Sequence, residues 1–165
     1  MGLEVPATGF TANFNNTITS AKDDLLQITG GNGAAKPPFV VTKLTITSPQ
    51  TTPTAVRVQI AVCTNAHKAT SMGSALTAIP LSETTSGAPT SSVTVNPWAS
   101  GQTDATIDNI FFDEYVDVRA GAGAFYLPLP GSRVLVPDDH VLVCLFPSPL
   151  ASQQMSCEVE WFELF

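Results

Sequence analysis

The chain has 165 residues, of which 44% are hydrophobic and 13% charged, where an average globular chain has about 25% charged residues. That length bounds one domain with its own core, and the shortfall in charge is made up by Thr, Ser, Ala, Pro and Gly, which favours strands and turns over long helices. Seven basic against fourteen acidic residues give a net charge of −7 with no basic cluster, which excludes nucleic acid as an expected partner. No apolar run reaches the roughly eighteen residues that span a bilayer, and Met1–Pro6 lacks a basic segment followed by an apolar one, so neither membrane insertion nor export is expected.

Residues 1–19 read as an N-terminal arm or first strand, with Phe10 and Phe14 spaced along a polar stretch, and residues 20–165 as a single β-sandwich domain. Ser20 can cap a short helix over Ala21–Ile28, or the same segment is a turn feeding a strand. A glycine-rich loop, Thr29–Gly33, and the Pro37–Pro38 pair lead into a strand in which Val40, Leu44 and Ile46 alternate with Val41, Lys43 and Thr45. In Ala55–Cys63 the side chains of Val56, Val58, Ile60 and Val62 share one face opposite Arg57 and Gln59. His67 follows in a polar loop; Ser86–Ser92 and Asn96–Gly101, the latter carrying Trp98, read as longer loops. Phe125 and Tyr126 stand beside Pro128 and Pro130 in a segment too irregular to be simple core. Val136–Asp139 has turn residues before His140, and Val141–Phe146 is apolar on both faces, as a central strand is. The closing stretch, Cys157–Phe165, alternates Cys157, Val159 and Trp161 with Glu158, Glu160 and Phe162. This spacing predicts an all-β fold, a jelly-roll-like antiparallel β-sandwich with long loops.

Catalysis needs a constellation of nucleophile, base and stabiliser, and the supply of bases is small. His67 and His140 read as solvated loop residues, and neither has a His or Cys at metal-ligand spacing. No Gly-x-Ser-x-Gly elbow and no phosphate-binding glycine motif is present, and Gly121–Ala124 reads as a loop. Asp113 and Asp117 flank Tyr115 on one strand face, which reads as a solvated acidic face and supplies calcium ligands poorly. Cys63, Cys144 and Cys157, each in an apolar run, read as buried free thiols. The expectation is a protein that is not an enzyme, with no catalytic, cofactor-binding or metal residues and no cofactor. Its aromatic residues Phe10, Phe14, Trp98, Phe125, Tyr126, Phe162 and Phe165 are candidates for a protein–protein interface, because aromatic surface left wet marks a partner.

The order of elements resembles a known family. Asp24–Thr29, Lys36–Pro37 leading into Val40–Ile46, the strand Val56–Ile60, Val118–Gly121, Leu127–Pro130, Val136–Val143 and Cys157–Phe162 are together similar to the small β-sandwich capsid decoration, or cement, proteins of tailed double-stranded DNA bacteriophages. The resemblance implies a virion structural protein, made in the host cytoplasm. It would sit on the outer face of an icosahedral head as a homo-oligomer, a trimer, binding the major capsid protein and stabilising capsomer joints, with no membrane contact and no catalytic residue. The alternatives are a head-fibre or tail component, and a carbohydrate-binding β-sandwich module in which Trp98, Tyr115 or Tyr126 stacks on a sugar.

Overall fold

The computed structural model describes residues 7–18, 23–30, 36–49, 55–81, 89–117, 125–127, 135, 139–147 and 153–164. The chain is all-β, with ten strands among the described residues: β1 (Ala7–Ile18), β2 (Asp23–Thr29), β3 (Phe39–Thr47), β4 (Ala55–Thr64), β5 (Ile79–Pro80), β6 (Thr94–Pro97), β7 (Asn109–Asp117), β8 (Phe125–Leu127), β9 (Asp139–Pro147) and β10 (Gln153–Leu164). They form two five-stranded antiparallel sheets, ordered β5-β1-β10-β3-β8 and β6-β2-β9-β4-β7. With the short edge strands β5 and β6 set aside, the pairings are nested, β1 with β10, β2 with β9, β3 with β8 and β4 with β7. The chain is thus one long hairpin whose two limbs roll up together, which is the jelly-roll sandwich that the strand pattern predicts.

The stretch read as an arm or first strand forms β1, paired with β10 over all twelve of its residues. The closing aromatic stretch accordingly lies in the middle of its sheet, between β1 and β3. Alternation sends Met155, Cys157, Val159 and Trp161 of β10, and Phe10 and Ala12 of β1, into the space between the sheets. There they meet Val56, Val58, Ile60 and Val62 of β4 and Leu26 and Ile28 of β2. Trp161 is fully buried and stacks on Phe10 with ring centroids 5.7 Å apart.

Four local readings are corrected. Over Asp23–Thr29 the structure has a strand instead of a helix; Leu25 is the extra residue of a bulge against β9, so Leu25 and Leu26 are both buried. In β3 Thr42 is the extra residue, lying between Lys43 and Val41 where β10 runs directly from Glu160 to Trp161. Its hydroxyl donates to the Glu160 carbonyl at 3.3 Å. The bulge reverses the parity, so Phe39 and Val41, rather than Val40, join Leu44 and Ile46 in the core cluster. Asn96 and Pro97, read as loop, end strand β6. His140 is not a solvated loop residue: it is fully buried in β9, with Nδ1 2.9 Å from Thr29 Oγ1.

Over β2 and the end of β4 the outer face of the β9 sheet is covered by the protein's own loops, while its β7 side, with Asp113 and Tyr115, is open. Asp24, Gln27, Gln59, Ala61 and Cys63 face outward from that sheet and are all buried. Gln27 Oε1 accepts the Ala69 N–H at 2.9 Å, and an Asp24 carboxylate oxygen accepts the Ala105 N–H. Gln102 Nε2 donates to the Asp24 carbonyl at 3.1 Å, and the Trp98 N–H donates to the Leu25 carbonyl at 2.9 Å. Cys63, Ala69 and Ala105 form a second small apolar cluster with Met72 and Ile107 against it. The covering segments are clipped together by the Thr70–Thr103 backbone pair and by His67, whose Nδ1 donates to Asp108 at 2.6 Å. The Thr64 N–H, and after it His67, hold the Asp108 carboxyl below its usual range.

Candidate functional site

The outer face of the β10 sheet has no such cover among the described residues. Register places its outward side chains in rows across three strands: Gly9–Phe162–Val40, Thr11–Glu160–Lys43, Asn13–Glu158–Thr45 and Asn15–Ser156–Thr47. Edge strand β5 extends the first two rows, because Ile79 pairs with Thr11 and the Leu81 N–H donates to the Gly9 carbonyl. One end of the face is therefore apolar and the other is hydroxyl- and amide-rich.

At the apolar end, Ile79 and Leu81 are 51% and 44% exposed, and Phe162 and Leu164 are half-buried beside them. Gly9 makes this packing possible, since a methyl group there would lie 2.8 Å from Phe162 Cε1 and 2.9 Å from Leu81 Cδ1. The phenyl ring of Phe162 thus takes the space beside the glycine that any other residue's side chain would fill. A hydrophobic cluster of this kind on the surface of an acidic chain is the usual mark of a contact surface.

Behind that end, on the inner side of β10, Glu163 is 1% exposed. Its carboxylate accepts the Ser91 hydroxyl, the Ser92 hydroxyl at 2.7 Å, the Ser92 N–H at 2.9 Å and the Val93 N–H at 3.3 Å. Trp161 Nε1 also donates to Ser91 Oγ at 3.3 Å. Burial pushes the Glu163 carboxyl up, but the donors from Ser91, Ser92 and Val93 outweigh it and hold it below its ordinary value. The segment 91–93 is thereby fastened across the end of the sandwich, and β10 is fixed beneath its exposed aromatic ring.

In the middle of the face, Lys43 Nζ bridges Glu160 at 2.7 Å and Glu158 at 3.3 Å, and these two hydrogen bonds raise its pKa. The other charged arrangement lies on the β9 sheet near its β7 edge. There Arg57 makes a two-pronged bond to Asp113, 2.7 Å on each side, and Gln59 adds a third at 2.9 Å. Arg57 first, then Gln59, hold the Asp113 carboxyl at about 2. Asp113 is thus an ion-pair partner rather than part of a simply solvated acidic face, while Tyr115 next to it is 69% exposed.

The proposed interface residues do not form one surface. Phe10 is 1% exposed and belongs to the core, because its parity on β1 turns it inward onto Trp161. Phe14 is half-buried and packs against the same core, and Trp98 is half-buried on the covered side of the β9 sheet. Of the candidates whose side chains are described, Phe162 is the one that reaches the apolar end. Phe125 and Tyr126 belong to β8, whose side chains lie outside the described part of the structure, as do Phe165, Gly121–Ala124, the Val136–Asp138 turn and the Cys144 side chain. The sequence reading missed Ile79, Leu81 and Glu163; the available signal for Glu163 was its parity with Trp161, which places a carboxylate on the inner face.

Cys63 and Cys157 are buried free thiols, and burial pushes the Cys157 thiol well above its ordinary range. Among the described residues no three His, Cys, Asp or Glu side chains converge as a metal site. No protein-family model matches the chain, and no curated protein matches it in sequence. The fold defines its class as a jelly-roll β-sandwich, and the exposed sheet face with one apolar end is its candidate site.

Proposed function

We propose that the protein is a virion structural protein, a capsid decoration or cement protein that binds the outer surface of an icosahedral phage head and stabilises capsomer joints. The observation that carries this reading is the exposed apolar end of the β10 sheet, where Phe162 of the central strand β10 meets Ile79 and Leu81 of the edge strand β5 and its end. A shell offers many copies of one shallow contact, and such contacts are served by area and shape rather than by a deep pocket. The family resemblance of the strand sequence points the same way, and it supplies the major capsid protein as partner and a homotrimer as the assembled form.

Adhesion then works through burial of the apolar end against the capsid or a neighbouring copy, with the locked Glu163 segment keeping the strand from fraying on contact. The decisive experiment is co-sedimentation of the purified protein with capsids stripped of decoration, together with its copy number per purified particle by mass spectrometry. Hundreds of copies, and binding abolished by Phe162→Asp with Leu81→Asp, are the expected results. A protein absent from particles, or bound equally well by the double variant, overturns the proposal. A handful of copies per particle moves it to the tail or a fibre.

A further inference from the structure

At the end of the β10 sheet opposite the apolar cluster lies a shallow groove of about 470 Å³, lined by the two rows of outward side chains at that end together with Phe14 and Cys157. Asn13, Glu158 and Thr45 form one row, and Asn15, Ser156 and Thr47 the other. Three strands by two rows make a platform about 10 Å by about 7 Å. From Ser156 to Phe162 the strand runs about 20 Å, so the groove and the apolar end are separate patches of one face.

We infer that this groove is a binding site for a neutral polyhydroxylated ligand, one or two sugar units of a glycan chain. The donor set fits that chemistry. Each Asn offers two N–H donors and a carbonyl acceptor, each Thr or Ser a hydroxyl that does both, and Glu158 only accepts, so vicinal sugar hydroxyls find both kinds of partner. The side chains of Asn13, Asn15, Thr45, Thr47 and Ser156 make no hydrogen bond within the described protein, so this capacity is free for a ligand. The volume lies within the range of small-ligand sites, roughly 300–1,000 Å³.

Charge narrows the class. Glu158 and Glu160 share the single cation Lys43, which leaves the groove's rim with an excess negative charge. Phosphate, sulfate and sialic acid are therefore disfavoured, and one lone carboxylate in the floor does not make a cation site. Of the lining only Phe14 and Cys157 are apolar, and Cys157 is buried, so the groove offers a peptide few anchors, whereas its outward amides and hydroxyls can hold a sugar ring. The inference is independent of the capsid reading, although repetition on a particle would multiply a weak single-site affinity through avidity.

The test is titration of the full chain with cellotriose, maltotriose, chitotriose and lactose, with 3′-sialyllactose as the anionic counterpart, followed by NMR of the Asn side-chain amides. The expected result is saturable shifts of the Asn13 and Asn15 amides with at least one neutral sugar. Weaker binding of 3′-sialyllactose than of lactose should follow, as should an at least fivefold loss of affinity in the Thr45→Val, Thr47→Val double variant. Valine keeps the strand preference of threonine, so the variant should retain the wild-type circular dichroism. Asn15→Ala, on an exposed position, is a second variant with the same expected loss. No shift with any of the neutral sugars at about 10 mM, well above a Kd of about 1 mM, overturns the inference. Tighter binding of 3′-sialyllactose than of lactose, or unchanged affinity in both variants, also overturns it.

Discussion

Glu163 offers the sharpest test of how the exposed strand is held. Glu163→Gln keeps the shape of the side chain but replaces one acceptor oxygen by an NH2 group. With the amide oxygen left at Oε1 to serve the Ser91 hydroxyl and the Ser92 and Val93 N–H groups, the NH2 group at Oε2 takes away the second acceptor of the Ser92 N–H and forces the Ser92 hydroxyl to turn from donor to acceptor. Losing charge-assisted bonds of this kind costs about 1.5–3 kcal/mol, and with a domain of this size that lowers Tm by roughly 3–12 °C. Glu163→Ala leaves two backbone N–H groups without their acceptor as well, and about 3–5 kcal/mol is expected. The pH dependence has a definite sign. The folded carboxyl has a pKa below its ordinary value near 4.5, so its stabilisation is complete above that value and is lost as pH falls through the lower folded value. Urea unfolding followed by Trp fluorescence at pH 7 and at pH 3 should therefore show the gap between wild type and Glu163→Gln narrowing in acid. A Gln variant as stable as wild type at pH 7, or a gap that widens in acid, would refute the lock.

Trp161→Ala and Phe10→Ala should each destabilise by about 3–5 kcal/mol. A double-mutant cycle between them should return a coupling of about 0.5–1.5 kcal/mol for the stacked pair, read from urea midpoints. Gly9→Val should displace the Phe162 ring and cost about 1–3 kcal/mol by overpacking, with a matching loss of capsid binding by co-sedimentation. Peptide-level mass spectrometry after a short iodoacetamide pulse should find Cys63 and Cys157 unlabelled in the native protein and fully labelled in urea. Asp113 should remain ionised down to about pH 2 in an NMR titration of its carboxyl carbon. Its pKa is depressed, so the Arg57 pair supports the fold above the unfolded carboxylate range and is lost as pH falls through about 2.

Where alternation is unbroken, the sequence was enough to read the structure. Val56, Val58, Ile60 and Val62 of β4, and Cys157, Val159 and Trp161 of β10, point inward as their spacing predicts. Where a bulge inserts a residue, the period fails: Leu25 puts two leucines into the core in succession after Asp23–Asp24, which imitates a capped helix, and Thr42 exchanges the roles of Val40 and Val41. His140 looked like the end of a turn because Asp138 and Asp139 precede it, but partners in β2 and β4 draw it into the sheet. The candidate site was less legible, since it depends on pairings across most of the chain length. Gly9, Leu81, Phe162 and Val40 meet only once β1, β5, β10 and β3 lie side by side. Glu163 likewise finds its donors in a segment some seventy residues earlier.

The two outer faces differ in what an approaching partner would have to displace. On the β9 sheet, polar side chains at outward positions are used internally: Asp24 and Gln27 bind backbone N–H groups of the covering loops, and Cys63 packs with Ala69 and Ala105. A second molecule could reach the covered part of that face only by stripping away those hydrogen bonds, each of which would leave a buried group unsatisfied at about 1–3 kcal/mol; the β7 side, with Ile110 and Tyr115, is open. On the β10 sheet most outward side chains are exposed or half-buried, and the groups an incoming surface meets are the apolar end, the Lys43 ion pairs and the polar rows beyond them. Burying the exposed parts of Ile79, Leu81 and Phe162 gains about 25 cal/mol for each Å² of apolar surface removed from water. The same strand carries this apolar end and the polar groove about 20 Å apart on one face, so a partner seated on the first also approaches the second.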